Sequence, residues 1–222
     1  MYLSRMELDM SRRSTMLAVT NRKLLHGAVE SAFEGERKRR LWRIDHLKDK
    51  YYLMIVSEDK PELTSAFEQF GPYGKPAEWE TKGYDGLLNR ITEGSIWQFR
   101  LTANPTVSSV KDKDGQRLQE NGDLQKRGIV HAHNVERYQK EWLQKKAGTC
   151  GFALNEDDFG VMQSQWTQFI KGKERVKVSF LAVTYEGILR VTDKELFVKT
   201  LTEGIGREKA YGMGMMTVIK QS

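Results

Sequence analysis

Three features of the 222-residue chain predict its fold class: strand-like alternation in YLSRMEL near the start, helical apolar spacing in NRKLLHGAVESAFE, and a recurrence of the same element order after residue 95. Together they predict an α+β protein of two tandem ferredoxin-like (βαββαβ) units with antiparallel sheets, over residues 1–92 and 95–222.

In the first unit the opening strand is followed by a helix over Asn21–Glu34. Leu24, Leu25, Ala28, Val29, Ala32 and Phe33 form its apolar stripe, and Asn21 is its N-cap. The basic run Arg37–Arg40 leads into two strands, LWRIDHL and YYLMIVS, joined by a charged turn at Lys48–Lys50. Pro61 opens a short helix, PELTSAFEQF, since proline is tolerated in a first turn. A loop rich in Gly and Pro then passes into an extended segment ending near Ile91.

The second unit opens with the strand SIWQFRLTANP, halted by its Asn-Pro step. Lys111–Arg127 is polar and reads as a mobile loop. Asn134–Ala147 is helical, with Val135, Tyr138 and Trp142 on one side and Gly148 as the stop. Strands follow in FALN, VMQSQWTQFI and RVKVSFLAVTYEGILRV, the last two joined by the basic turn KGKER. Asp193 caps a helix whose buried stripe is Leu196, Phe197, Thr200 and Leu201, and GMMTVIK is the final strand. Trp42 and Trp166 are expected in the core.

Composition narrows the function. No apolar run approaches the roughly 18 residues of a membrane span, and the charged first decade lacks a signal-peptide core, so a cytoplasmic protein without membrane contact is expected. The single cysteine, Cys150, offers neither an internal disulfide nor a metal cluster. With 36 Lys and Arg against 30 Asp and Glu, the net charge of +6 leans toward a polyanionic partner.

The segment GIGREKAYGMGMM holds Gly204, Gly206, Gly212 and Gly214 around the cations Arg207 and Lys209. A dinucleotide loop follows a strand and opens a helix, whereas this one follows a helix and precedes the last strand. It also lacks Gly-Lys-Ser/Thr, so ATP and NAD are not the expected ligands, and no cofactor is expected. Glycines let backbone N–H groups approach a phosphate and the two cations add charge, which suits an RNA backbone. The tip of KGKER, with Lys171, Lys173 and Arg175, is a second cationic group able to enter a groove. The clusters Lys126–Arg127 and Arg37–Arg40, Arg39 included, are further candidates for binding RNA.

Taken with MYLS, FRLTANP, QKRGIV…WLQKK and YEGILRV, the glycine segment resembles the CRISPR-associated CasE (Cse3) family along nearly the whole chain. The resemblance implies a metal-independent endoribonuclease that cuts CRISPR repeat RNA at the 3′ base of its stem-loop and stays on the product as a subunit of Cascade. It also implies a catalytic histidine in the first helix, which is His26 here, and a basic hairpin against the RNA stem. Some members carry Tyr three residues before that histidine; this chain has Lys23, a candidate charge stabiliser. The family pattern usually has a basic residue where Thr102 stands. Of the other histidines, His131 and His133 lack the neighbours a metal site needs, and His46 packs or is solvated. The alternative is a non-catalytic RNA-binding assembly subunit in which His26 is structural. The glycine segment is assigned to binding and to packing between units, with the chemistry on the first helix.

Overall fold

The computed structural model describes residues 1–109, 119–120, 123–124, 129–172 and 175–221; Lys126, Arg127 and Lys173 lie outside them. The elements run β1 (Tyr2–Leu8), α1 (Arg13–Thr20), α2 (Arg22–Ser31), β2 (Leu41–Leu47), β3 (Lys50–Ser57), α3 (Thr64–Phe70), β4 (Glu80–Gly83) and α4 (Asp85–Leu88). They continue with β5 (Ile96–Ala103), β6 (Thr106–Ser109), β7 (Gln119–Glu120), β8 (Asp123–Leu124), β9 (Ile129–Ala132), α5 (Glu136–Ala147) and β10 (Phe152–Ala153). The last are β11 (Phe159–Lys171), β12 (Val176–Val191), α6 (Lys194–Glu203) and β13 (Met216–Lys220).

The first sheet has the order β2-β3-β1-β4 with every pairing antiparallel. In the second, β13 and β12 flank β5, while β11 and β10 share the outer side of β12. Both follow the ferredoxin-like order, in which the first and third strands lie side by side at the centre. The fold class expected from the sequence is the one observed. Inserted into the second unit are two small ladders, β6 with β9 and β7 with β8.

Several local expectations give way to packing. A helix not expected from the sequence, α1, abuts α2 at Asn21. The Asn21 side chain makes no capping bond, because the Leu24 N–H already donates to the Asn21 carbonyl at 2.9 Å. Helix α3 begins at Thr64 rather than Pro61, and the segment before Ile91 turns through α4 instead of staying extended. Helix α5 passes through Gly148, still right-handed, into a 3₁₀ turn, and the left-handed stop is Gly151 (φ 76°). Leu196 and Trp166 are exposed, whereas Trp42 is buried. Asp193 caps α6 as expected, accepting from the Leu196 N–H at 2.9 Å.

One large apolar core joins the two sheets: Leu41, Val56 and Ile91 share it with Phe99, Leu101 and Met216. A second core, with Met6, Leu25, Val29, Trp42 and Phe67, lies beneath α2 and α3. The sheets are pinned together by buried Arg43 of β2. It grips Asp45 at 2.6 and 2.7 Å and donates to the carbonyls of Arg100 and Met215, each at 2.8 Å, and to Thr217 Oγ1 at 2.8 Å. A guanidinium buried this deeply is tolerated because its donors are met and its charge is paired. This clamp fixes the edge strand β2 beside the glycine segment that precedes β13.

Candidate active site

Helix α2 turns Leu25, Ala28 and Val29 inward, which leaves His26 at the margin of the buried face with its side chain 21 % exposed. The His26 Nε2 is 3.3 Å from Arg37 Nη2, and Nδ1 is 4.0 Å from Glu30 Oε1 one helical turn on. Because a guanidinium can only donate, Nε2 is the acceptor and the ring is the neutral tautomer with its proton on Nδ1, toward Glu30. Burial holds the His26 imidazole below its usual pKa; Glu30 opposes this, while Arg37 and Lys171 add to it. Glu30 is itself held by Arg37 Nε at 3.0 Å and by buried Arg40 at 3.1 Å.

The opposite wall comes from the other end of the chain. Tyr211 presents its ring edge-on to His26, with centroids 6.2 Å apart and planes at 75°. Phe169 of β11 and Phe180 of β12 grip that ring, at 4.9 and 6.0 Å, in a small cluster completed by Met213. Lys171, exposed at the end of β11, sets its Nζ 6.0 Å from the Tyr211 ring centroid. Thus α2, the glycine segment and the base of the basic hairpin meet at one point, although about 185 residues separate His26 from Tyr211.

The four glycines make this approach possible. All have positive φ, from 76° to 83°. A Cβ on Gly212 would lie 2.7 Å from the Trp42 ring, and one on Gly214 would lie 2.3 Å from the Ile205 carbonyl oxygen. The Gly214 N–H donates to the Thr102 carbonyl (2.7 Å) and the Ile205 N–H to the Gly214 carbonyl (2.9 Å). These glycines therefore fold the segment on itself and against β2, and the cations it carries lie outside. Arg207 is exposed, and Lys209 is half-buried, its pKa lowered by burial and then by Arg39 nearby. Arg175 is exposed with φ 54°.

The run Arg37–Arg40 divides by function. Arg37 reaches His26 and Arg39 is exposed, whereas Lys38 pairs with Glu58 and Asp59 at 3.3 and 3.0 Å. Arg40 is buried over the Phe33 ring, 4.3 Å from its centroid. Lys23 is exposed one turn before His26. Thr102 is buried and hydrogen-bonded to Thr184 Oγ1 at 2.9 Å. His46 is exposed and stacks on Tyr51 at 4.4 Å. Among the described residues no group of three His, Cys, Asp or Glu side chains is arranged to hold a metal ion, and no helix is long and apolar enough to cross a membrane. Sequence reasoning missed Tyr211 and Glu30; the only trace of Tyr211 was an aromatic residue lodged between two pairs of glycines.

A family model described as "CRISPR associated protein" matches residues 1–220. The chain is 25 % identical over 232 residues to the CRISPR-associated endoribonuclease Cse3 of Thermus thermophilus, covering 98 % of this chain and 99 % of that one. It is 28 % identical over 120 residues to the Cascade subunit CasE of Escherichia coli, covering 54 % and 56 % of the two chains. Among solved structures, Cse3 bound to a 19-nucleotide RNA superposes with a TM-score of 0.76 at 22 % identity, covering 99 % of this chain and all of that one. Cas6e from Escherichia coli gives 0.63 at 20 % identity with full coverage of both chains.

Proposed function

The chain belongs to the CRISPR-associated CasE (Cse3) family, and on that premise we propose that it is a metal-independent endoribonuclease of CRISPR repeat RNA, acting in the cytoplasm. It binds the repeat stem-loop, cuts at the 3′ base of the stem and keeps the product as a Cascade subunit. The observation that carries this reading is the meeting of His26, Arg37, Tyr211 and Lys171. A histidine whose pKa is lowered by burial and by the cations Arg37 and Lys171 sits there with its side chain partly open to solvent.

Cleavage by the 2′-OH needs a proton acceptor, a donor for the departing 5′-oxygen and positive charge for the phosphorane. With its pKa lowered, His26 favours the neutral form at pH 7, and its Nε2 lone pair faces the exposed Arg37 guanidinium. It therefore fits the general base that takes the 2′-OH proton as the 2′-oxygen bonds to phosphorus; the P–O5′ bond breaks and the 5′-oxygen takes a proton from water, giving a 2′,3′-cyclic phosphate and a 5′-OH. The Arg37 side chain is 72 % exposed and can exchange His26 for a phosphate oxygen as RNA binds. Lys23 and Lys171 supply further charge at the phosphorane. From Lys171 outward, Lys173 and Arg175 of the hairpin, Arg207 and Lys209 of the segment shaped by Gly204, Gly206, Gly212 and Gly214, and Arg39 and Lys126–Arg127 track the RNA backbone.

The test is single-turnover cleavage of the repeat stem-loop in EDTA. His26→Ala lowers the rate by roughly 10²–10⁴-fold while retaining RNA affinity. Cleavage at the wild-type rate would instead make His26 structural and the chain a non-catalytic RNA-binding subunit.

A further inference from the structure

Between the two units, beside the candidate active site, lies a cleft of about 400 Å³. Its walls come from α1, the start of α2, β2, β3, β5, β11 and β12. That volume lies within the usual range of small-ligand pockets. Its lining is polar, and its charges do not balance. Asp45 is held bidentately by Arg43 at 2.6 and 2.7 Å, and Arg100 is held by Glu186 at 2.7 Å. Arg22 has no such partner: among the described residues its water-shielded Nε meets no acceptor, and no carboxylate acts on its charge. Burial alone lowers this guanidinium to about 10. The Trp42 ring centroid lies 6.0 Å from the Arg22 guanidinium carbon. A guanidinium set back from water with no carboxylate beside it is a position where an anion gains by pairing.

Two further features say which anion. The His46–Tyr51 stack forms part of the wall, an aromatic surface of the kind on which a base stacks. Gln163 and Gln165 also line the cleft; Gln163 Nε2 donates to Gln165 Oε1 at 3.1 Å, which leaves the Gln163 carbonyl oxygen and the Gln165 amide N–H groups to read a base edge. Position on the chain identifies the source. Arg22 precedes His26 by one turn of α2, about 6 Å along the axis, on the same face. Strand β11 carries Gln163 and Gln165 into the cleft and ends in Lys171 over Tyr211.

We infer that this cleft is a subsite for one unpaired nucleotide of the RNA adjoining the cleavage site, with its phosphate on Arg22 and its base against the His46–Tyr51 stack. The inference rests on the proposed ribonuclease reading and adds to it a specificity element in the strand flanking the stem.

The experiment measures the Kd of the full-length chain for a stem-loop carrying a 2′-deoxy sugar at the cleavage position. One RNA is trimmed at the stem's ends and another extended by unpaired nucleotides. Wild type gains roughly tenfold from the extension, the worth of one charge-assisted contact. Arg22→Gln erases that gain while binding the trimmed RNA as wild type does, and Arg22→Lys restores part of it. Equal loss on both RNAs, an undiminished gain in Arg22→Gln, or no gain in wild type overturns the subsite. Arg22-dependent binding of AMP together with indifference to the extension overturns it in favour of a free nucleotide. Should Arg22→Gln not fold, the wild-type comparison decides alone, with a single abasic flanking nucleotide expected to abolish most of the gain. Failure of wild type to bind either RNA removes the ribonuclease reading as well, whereas tight binding that ignores the flank removes only this inference.

Discussion

The two ferredoxin-like units share a strand order but not a hairpin. In the first, β2 and β3 run 7 and 8 residues and turn tightly at Lys48 and Asp49. In the second, β11 and β12 run 13 and 16 residues, and their excess length carries Phe169, Phe180 and Lys171 out to the first unit's helix α2. The short hairpin completes a core, whereas the long one builds half of the candidate site on the other unit. The difference is one of length: extending the same connection carries it to the neighbouring unit.

The largest expected effect breaks that asymmetry. Phe180 is buried in the small cluster around Tyr211, so Phe180→Ala removes both an aromatic partner and the clamp on the ring facing His26. A loss of about 3 kcal/mol in unfolding free energy is expected by denaturant titration. Loosening Tyr211 further lowers cleavage by roughly 10–100-fold under conditions where the variant is folded. The matching change in the first hairpin, Lys50→Ala, removes an exposed ion pair with Glu7 and leaves melting and cleavage unchanged. Wild-type cleavage by folded Phe180→Ala would show that the long hairpin does not position the site.

The glycines supply the next effect, and here even the sign differs between regions. Gly214 has φ 83°, and its added Cβ would meet the Ile205 carbonyl, a backbone atom that cannot step aside. Gly214→Ala is therefore expected to destabilise by about 2–4 kcal/mol, combining left-handed strain with the clash. Gly86, inside α4 with nothing within 4 Å of an added Cβ, behaves oppositely: Gly86→Ala stabilises by about 0.5–1 kcal/mol. Thermal melts of the two variants shifting the same way would contradict the packing role given to the glycine segment.

What the sequence revealed and what it hid follow the range of the interactions involved. Strands β2, β3, β5 and β12 were legible because each is a run rich in apolar, aromatic and β-branched residues, much of it buried on both faces. Helix α1 was not, because among its residues Thr15 and Ala18 are buried while Met16 and Leu17 are 48 % and 56 % exposed, so no apolar stripe marks it. Pro61 misled for a similar reason: buried Leu63, not the proline, stands at the start of α3. His26 could be proposed from its chemistry and its helix. Tyr211 could not, since nothing local in KAYGMG records a contact with a residue near the other end of the chain. The glycine segment is assigned to binding and to packing between units; the packing is visible, since its glycines allow backbone and Trp42 to approach closely beside the candidate site, and its cations Arg207 and Lys209 lie on the outside.

The smallest effect is a shift in a pH profile, and its direction separates the roles open to His26. Burial first, then Arg37 and Lys171 against Glu30, lowers the pKa of His26. If the neutral ring is the base, kcat/KM rises with pH as the proton leaves and levels off, with its midpoint below the usual histidine value of about 6.5. A ring acting as the acid gives a fall over the same interval. Arg37→Ala removes one of the lowering influences, so the midpoint moves up toward the ordinary value, and at pH 6 the variant loses more activity relative to its own plateau than wild type does. Lys50→Ala, whose charge lies on the other hairpin, leaves the midpoint where it was. A profile that falls with pH would transfer the base role to another group and keep His26 as proton donor to the 5′-oxygen, whereas an unmoved midpoint in Arg37→Ala would mean that the contact at 3.3 Å does not govern the titration.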